Sequence, residues 1–209
     1  MKAVFSLMIG LLTVANARAE PSTRVAWTPE TLAFVKQGNA SHGKNFAGTC
    51  AGCHNETNAN PNLEGQLPTY IYRQLQDYKN GSRKDPSTAM NGLAGTLSDQ
   101  DMADVSAWYG VQTPMRGAGG AEDVTGIVYQ GEGKRMEPAC ASCHGNAGQG
   151  EKIDVPRLAG QKAPYLETTL GAYKRGERGN DIYQRMRLIA GKLSDEEIRL
   201  LAEFYSKQD

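Results

Sequence analysis

The sequence predicts an all-α protein made of two tandem copies of one small helical domain. Apolar residues recur every three or four positions, which is the spacing of one helix face. No stretch alternates apolar and polar residues as a half-buried strand would. The second half of the chain also repeats the first, because Cys50 has its counterpart in Cys140, 90 positions later. We therefore expect two helical domains with the same plan.

The first segment has the composition of a secretory signal. Lys2 gives a positive start, residues 4–14 are almost wholly apolar, and Ala17-Arg18-Ala19 has the form of a cleavage site. We predict a signal peptide over residues 1–19 and a mature protein in a periplasm. The alternative is a buried N-terminal helix of the folded protein. The sequence favours it less, because no polar residues interrupt the apolar run to form a polar helix face. The run is also too short to span a membrane, and association with a membrane surface stays open.

The charge of the chain excludes one class of partner. The 209 residues hold 23 basic and 23 acidic side chains. Removal of residues 1–19 takes away Lys2 and Arg18, which leaves 21 basic side chains against 23 acidic ones. A nucleic-acid-binding protein normally carries a basic excess. We expect no nucleic-acid partner, and any docking patch must be local.

The repeat extends well beyond the cysteines. Past them the offset becomes 95 and then 96, and the extra residues fall in loops, which tolerate length changes. The first-copy residues that recur are Gly43, Lys44, Pro61, Leu63, Gly65, Gln66, Tyr70, Leu75, Tyr78, Lys79, Gly81, Met90 and Leu97-Ser98-Asp99. Proline and glycines break the periodicity between the copies. We predict domains over residues 20–113 and 120–209, joined by a linker over 114–119.

Each copy predicts the same helices. In the first, apolar and aromatic residues from Tyr70 to Tyr78 recur at helical spacing, and Asn80-Gly81 ends the helix. The last helix begins at Ser98 or Ser194, each followed three residues later by an acidic side chain that can complete a capping box. We also expect a helix before each cysteine pair. In the first copy, a further turn or two follows Thr28-Pro29 and ends at Gly38.

The two cysteine pairs allow three chemistries. A structural zinc site normally brings its Cys-x-x-Cys halves within about 20 residues, whereas these halves are almost a domain apart. A thioredoxin-like dithiol requires a βαβ context, which the helical pattern lacks. The third chemistry uses every residue, because Cys-x-x-Cys-His is the attachment signature of c-type haem. Cys50, Cys53, Cys140 and Cys143 would form thioethers with two haem c groups, and His54 and His144 would bind iron.

With two Cys-x-x-Cys-His motifs in a duplicated helical chain, the protein resembles the class I c-type cytochromes, duplicated as in the diheme cytochrome c4 family. The resemblance covers residues 40–209. In that family the proline of Pro-x-Leu-x-Gly offers its carbonyl oxygen to the iron-binding histidine, which implies this role for Pro61 and Pro156. Such a hydrogen bond orients the imidazole and raises its basicity.

Three features depart from this pattern or stay open. Asn55 follows His54 where Gly145 follows the second histidine, and the extension over residues 20–40 is longer than the family requires. Gln66 and Gln161, each with a tyrosine four residues later, could lie near haem propionates, at the interdomain contact, or simply cap the middle helix.

The resemblance also implies a distal ligand. Met90 and Met186 occupy equivalent segments before the last helix, where the family has its axial methionine. Met102 falls on the apolar face of a helix, Met115 lies in the linker, and Met136 is too close to Cys140 to cross a haem. His42 has no counterpart in the second copy, and we interpret it as a surface or core histidine.

Closed His/Met ligation predicts an electron carrier and not an enzyme. Both axial positions of each iron would be filled, and a thioether ligand favours ferrous iron. We expect the protein to accept electrons from a quinol-oxidising complex and to pass them to a terminal oxidase or reductase. An alternative is the cytochrome subunit of a periplasmic dehydrogenase, for example one that oxidises sulfide or thiosulfate. A haem peroxidase needs a five-coordinate iron, and the two methionines argue against it.

Overall fold

The structure is a computed structural model, and it describes residues 22–123, 125–151 and 153–209. The predicted signal peptide lies outside the described residues. Within those ranges the regular structure is helical, and extended pairing is limited to two isolated bridges, Glu132 with Glu137 and Glu151 with Val155. The all-α prediction is confirmed. No described helix is long and apolar enough to cross a membrane.

The described residues form ten α-helices and three short 3-10 segments. The α-helices are α1 (Pro29–Lys36), α2 (Ala40–Gly43), α3 (Ala47–Ala51), α4 (Pro68–Asn80), α5 (Ala89–Thr96), α6 (Asp99–Gly110), α7 (Ala141–His144), α8 (Ala163–Lys174), α9 (Arg185–Ala190) and α10 (Asp195–Lys207). The 3-10 segments are Lys44–Phe46, Gly133–Arg135 and Ile182–Gln184.

In the first repeat, α4 packs on α5 and α6, and α2 packs along α6. Thr28 caps α1 by accepting from the Thr31 backbone N–H at 3.2 Å. Gly81 ends α4 with a positive φ of 79°, a conformation that glycine adopts without strain. Ser98 and Asp101 form a full capping box at the start of α6. The core between the helices is formed by Ile71, Tyr72, Leu75, Met102, Val105 and Tyr109.

The second repeat has the same plan, with α8 packed on α9 and α10. A capping box joins Ser194 and Glu197 at the start of α10. The prediction of a helix before the second cysteine pair is wrong for the described residues. Turns and the segment Gly133–Arg135 occupy that stretch, because Gly126 and Gly131 adopt φ values of 71° and 70° and interrupt any helical run.

Reciprocal hydrogen bonds join the two repeats. Gln66 Nε2 donates to the Arg157 carbonyl at 3.0 Å, and the Arg157 N–H donates back to Gln66 Oε1 at 2.8 Å. Gln161 and Asn62 make the same pair of bonds in the other direction, at 3.0 and 2.9 Å. Both glutamines therefore lie at the interdomain contact, one of the places the sequence left open for them. The two copies face each other through equivalent residues.

The N-terminal extension also contacts both repeats. Thr23 Oγ1 donates to Asp77 of α4 at 2.6 Å. Trp27 Nε1 donates to Asp154 of the second repeat at 2.7 Å, while its ring lies 6.5 Å from that of Tyr72. The additional length of this segment thus serves to connect the two halves.

Candidate haem sites

The first Cys-x-x-Cys-His stretch is folded as one helical turn. The backbone N–H groups of Cys53 and His54 donate to the Cys50 carbonyl at 3.1 and 2.8 Å. This turn leaves the Cys50 thiol half-buried and the Cys53 thiol exposed. His54 Nδ1 lies 2.9 Å from the carbonyl oxygen of Pro61. The motif and the proline meet as the resemblance implies.

The second stretch repeats this geometry. Cys143 and His144 donate to the Cys140 carbonyl at 3.2 and 2.9 Å, and again the first thiol is half-buried and the second exposed. His144 is buried, and its Nδ1 lies 3.0 Å from the Pro156 carbonyl oxygen. None of the four thiols is joined in a disulfide.

Both imidazoles have a defined tautomer. A carbonyl oxygen only accepts, so Nδ1 must carry the proton and Nε2 keeps its lone pair. Burial lowers the pKa of His54, an effect that the hydrogen bond to Pro61 partly opposes. Burial likewise lowers the pKa of His144 against the hydrogen bond to Pro156. Each ring is held neutral, as a metal-binding histidine requires.

The Pro-x-Leu-x-Gly-Gln segment has a specific structural role. Gly65 and Gly160 have φ values of 66° and 67°, which non-glycine residues rarely adopt. Their N–H groups donate to the carbonyl oxygens of Tyr109 and Tyr205, at 2.9 and 3.0 Å, and so tie the segment to the last helix of the repeat. A side chain at Gly65 would also overlap Pro114 of the linker. The turn brings the next residue, glutamine, to the other repeat.

Met90 and Met186 lie on the short helix before the last helix of their repeats. Met90 is on α5, partly buried against the core cluster that Cys50 also contacts. Met186 is on α9 and is half-buried. Their role as iron ligands stays a prediction. Met102 is completely buried in the core, and Met136 is 83% exposed.

His42 lies on the surface of the first repeat. Its side chain is 48% exposed and its Nδ1 lies 2.7 Å from Asp104 Oδ2. Asp104 also accepts from the Asn39 N–H at 2.7 Å, so the pair joins the N-terminal segment to α6. Of the two positions that the sequence left open for His42, surface or core, the structure shows the surface one.

A cationic cluster between the repeats was missed by sequence reasoning. Arg83 and Arg178 are equivalent residues of the two copies, and both donate to the single Gln74 side-chain oxygen, at 2.9 and 3.0 Å. Arg83 also donates to the Tyr165 hydroxyl at 3.2 Å, and Arg178 to the Tyr70 hydroxyl at 3.0 Å. The sequence signal was available, since Gly-x-Arg follows the middle helix in both copies.

These two guanidinium groups lack anionic partners. Among the described residues no carboxylate lies within 4.0 Å of either one, although Arg178 is only 7% exposed. Burial acts to raise the pKa of Tyr165, but the charges of Arg83 and Arg178 outweigh it and lower that pKa. Buried charges are normally paired. The cluster therefore fits a group with carboxylates of its own, as haem has in its propionates.

The cysteine pairs do not combine into a common metal site. Within the ranges that the structure describes, no three His, Cys, Asp or Glu side chains converge in a way that could hold a metal ion. Each pair stays with its own histidine and proline. The geometry fits two haem groups and does not support the zinc alternative.

Comparisons with known proteins bear on the same two segments. Residues 131–207 match the family model "Cytochrome c", and residues 38–108 match the model "Cytochrome C oxidase, cbb3-type, subunit III". Cytochrome c4 of Azotobacter vinelandii is 35% identical over 185 residues, which is 80% of this chain and 88% of that protein. The chain belongs to the cytochrome c4 family.

Membership of the cytochrome c4 family settles the general function. The chain is a diheme electron-transfer protein with two covalently bound haem c groups, and it is not an enzyme. The fold agrees, because reduced recombinant cytochrome c4 from Pseudomonas stutzeri superimposes with a TM-score of 0.76 and 31% identity, over 82% of this chain and all of that one.

Two further relatives are named for another process. A thiosulfate dehydrogenase electron acceptor of Stutzerimonas stutzeri is 35% identical over 75% of this chain and 77% of its own length. Thiosulfate dehydrogenase from Marichromatium purpuratum has a TM-score of 0.73 at 30% identity, over 81% of this chain and 40% of that one.

Proposed function

We propose that the two haem groups are held by equivalent residues of the two repeats. Cys50 and Cys53 form the thioethers of the first haem, and Cys140 and Cys143 those of the second. His54 and Met90 would bind the iron of the first haem, and His144 and Met186 would bind the iron of the second. The observation that carries this proposal is the duplicated geometry, in which each histidine turns Nδ1 to a proline carbonyl and keeps Nε2 for the metal.

Residues of this chain orient the groups that would hold each haem. Each helical turn sets the thiols and the imidazole on one short stretch, and the proline carbonyl holds the proton at Nδ1. Bound at these positions, haem supplies one-electron chemistry between ferrous and ferric iron. Buried apolar residues around each site would exclude water and favour ferrous haem, which carries a lower net charge than ferric haem.

Half-buried Arg83 and buried Arg178 complete the site from the interdomain side. In our proposal Arg83 and Arg178 bind haem propionates and so neutralise the charge of the cluster. A pair of positive charges at this place also favours the reduced haems, because reduction lowers the positive charge on iron. Tyr70 and Tyr165 hold the guanidinium groups in position.

The partners we propose are a quinol-oxidising complex as electron donor and a terminal oxidase or reductase as acceptor. Residues 1–19 act as a signal peptide, and the mature protein works in the periplasm as domains 20–113 and 120–209. The nearly even charge of the chain implies docking that is partly apolar, so its rate falls only modestly with added salt.

The test uses membranes washed free of their soluble cytochromes. Added holoprotein should restore quinol-dependent oxygen uptake, and the reduced protein should react only slowly with peroxide alone. Membranes that respond to a standard soluble cytochrome but not to this protein would contradict the proposed partners. Rapid peroxide turnover by the intact protein would contradict a carrier with closed iron sites.

A second candidate donor is a periplasmic thiosulfate dehydrogenase. The names of two kinds of relative favour it, since one is an electron acceptor of such an enzyme and the other is the enzyme itself. Thiosulfate together with the purified dehydrogenase should then reduce this protein as fast as quinol-oxidising membranes do. A partner that stays bound through purification would favour the role of enzyme subunit.

A further inference from the structure

The loop that follows the first Cys-x-x-Cys-His stretch, residues 55–60, is bound by a lysine of the second repeat. Lys162 Nζ donates to the carbonyl oxygens of Asn58 and Asn60, at 2.9 and 2.7 Å, and also to that of Asn55. An ammonium group has three N–H donors and no acceptor. The three carbonyl oxygens of the loop therefore use all the donors of this side chain.

These hydrogen bonds reach both ends of the loop. Asn55 directly follows His54, and Asn60 directly precedes Pro61. The loop is closed by the contact between His54 Nδ1 and the Pro61 carbonyl oxygen at 2.9 Å. Lys162 thus binds the two residues that flank this contact, and the contact sets the orientation of the imidazole.

The backbone of loop 55–60 is not closed by its own hydrogen bonds. Among the described residues, no hydrogen bond joins two backbone groups within it. The corresponding loop of the second repeat, residues 145–155, does close itself. Glu151 and Val155 donate to each other at 3.0 and 3.1 Å, and the Gly150 N–H donates to the His144 carbonyl at 2.8 Å. The first loop is held by side chains instead.

Asparagine side chains shape the loop and leave its carbonyl oxygens for the lysine. Asn55 Oδ1 accepts from the Thr57 N–H, and Asn58 Oδ1 accepts from the Asn60 N–H, both at 3.0 Å. These bonds use side-chain oxygens and backbone N–H groups, as in Asx turns. The backbone carbonyl oxygens that bind Lys162 are not involved. This gives a structural reason for an asparagine after the first histidine where the second copy has glycine.

The helix that begins after Lys162 does not require a lysine at this position. Lys162 occupies the N-cap position of α8 with φ −59° and ψ 127°. Its counterpart at an offset of 95, Leu67, occupies the N-cap position of α4 with nearly the same angles, −57° and 126°. An apolar side chain is therefore compatible with this backbone. The lysine serves the contact with the other repeat.

Lys162 also brings a positive charge to the first site. It is half-buried, and in the part of the chain that the structure describes no carboxylate lies within 4.0 Å of its Nζ. Burial lowers the pKa of Lys162, and the more distant charges of Glu64 and Glu56 oppose this. Burial lowers the pKa of His54 too, and the charge of Lys162 acts in the same direction. The charge therefore acts at the imidazole.

We propose that Lys162 is a positioning residue for His54, acting from the opposite repeat through loop 55–60. It keeps the loop closed on the imidazole and places a positive charge beside the first haem, where that charge favours ferrous iron. The proposal rests on the proposed role of His54 as an iron ligand. It adds that the electron affinity of the first haem depends on a side chain of the second repeat.

The experiment compares the intact diheme protein with two variants of one position. Lys162→Leu copies the residue of the first repeat, so the fold should tolerate it. Lys162→Arg keeps a positive charge and N–H donors. The matched control is Lys192→Leu, because Lys192 Nζ also donates to two backbone carbonyl oxygens, those of Arg135 and Met136, but within its own repeat.

Two NMR measurements report on each haem separately. The first is the exchange with D2O of the Nδ1 proton of His54 and of His144 in the reduced protein. The second is a redox titration followed through the methyl resonance of each iron-bound methionine. These two resonances are assigned by their loss in Met90→Ala and in Met186→Ala.

We expect Lys162→Leu to speed exchange at His54 roughly tenfold, because the loop opens more often. The equilibrium constant for reduction of the first haem should fall roughly threefold to tenfold, because a positive charge is lost. Since tenfold corresponds to about 59 mV for one electron, its potential falls by about 28–59 mV. His144 and the second haem should stay within twofold. Lys162→Arg should recover most of both changes, and Lys192→Leu should leave the first haem unchanged.

Unchanged exchange at His54 together with an unchanged first haem in Lys162→Leu would overturn the proposal. Equal changes at both haems would also overturn it, because the substitution would then have loosened the whole contact between the repeats. So would failure of Lys162→Arg to restore either signal, since charge and donors would then not matter. A wild-type protein without the signal of an iron-bound Met90 would instead contradict the proposed ligands, so the two failures are distinguishable.

Discussion

Asp154→Asn is the substitution that should most weaken the connection between the two repeats. Asp154 Oδ2 accepts from Trp27 Nε1 at 2.7 Å and forms an ion pair with Arg73 Nε at 2.8 Å. The side chains of Arg73 and Asp154 are only 7% and 10% exposed. The three residues belong to the N-terminal extension, to α4 and to the second repeat.

The expected loss follows from this burial. Removal of one partner of a buried ion pair costs about 3–5 kcal/mol, because the other charge is left uncompensated. Asn keeps an acceptor for Trp27, and Arg73 keeps its bond to the Asn180 carbonyl at 2.9 Å, so we expect about 3 kcal/mol. For a chain of this size 1 kcal/mol corresponds to about 2–4 °C. The melting temperature should fall by about 6–12 °C.

Thermal unfolding of the holoprotein, followed by calorimetry at pH 7, measures this change. Glu196→Gln is the control, because its pair with Arg199 is exposed and solvent screens the attraction between the two charges. The double variant Arg73→Met with Asp154→Asn should recover part of the loss, since it removes both charges and the Asn side chain still accepts from Trp27. An Asp154→Asn protein as stable as the wild type would refute the reasoning.

Three further predictions concern the haem sites and the second repeat. Met90→Ala or Met186→Ala should remove half of the sulfur-to-iron charge-transfer absorption of the oxidised protein and lower the potential of the haem in that repeat; an unchanged band would mean that another residue is the ligand. Arg178→Gln should lower a haem potential by on the order of 30–60 mV in a spectroelectrochemical titration, because a positive charge that favours ferrous iron is lost. The control Arg199→Gln removes an exposed charge and should leave both potentials unchanged. Equal shifts in the two variants would contradict the assignment of Arg178 to a propionate. Glu197→Gln should lower the free energy of unfolding by about 1–2 kcal/mol at pH 7, measured by denaturant unfolding. The hydrogen bonds from Arg135 lower the pKa of Glu197 from 4.5 to about 2. The Glu197 carboxylate therefore stabilises the fold above pH 4.5, and this contribution is lost as the pH falls towards 2. A difference from the wild type that persists undiminished at pH 2 would count against that assignment.

Much of the fold follows from local sequence signals. Gly81 after Asn80 marks the end of α4, and the Ser98 and Ser194 capping boxes mark the starts of α6 and α10. These signals act within one or two helical turns, so they are visible without tertiary structure. The pairing of His54 with Pro61 was available only through the family resemblance, because the two residues meet across an irregular loop.

The missed features depend on contacts between the repeats. Arg83 and Tyr165 are 82 positions apart, and Trp27 and Asp154 are 127 apart. No local pattern reports such contacts. The helix expected before Cys140 failed for a different reason, since the glycines at positions 126 and 131 adopt positive φ values that end helical geometry. The repeat predicted the same helix before both cysteine pairs, and these two glycines prevent it in the second copy.

Electron transfer without an open iron site requires that one histidine and one methionine ligate each of the two irons. Near-infrared magnetic circular dichroism of the oxidised protein, quantified per haem, tests it most directly. We expect two low-spin irons, each with the charge-transfer band of His/Met ligation, and no high-spin signal. One high-spin iron, or a band intensity that corresponds to a single methionine, would contradict it.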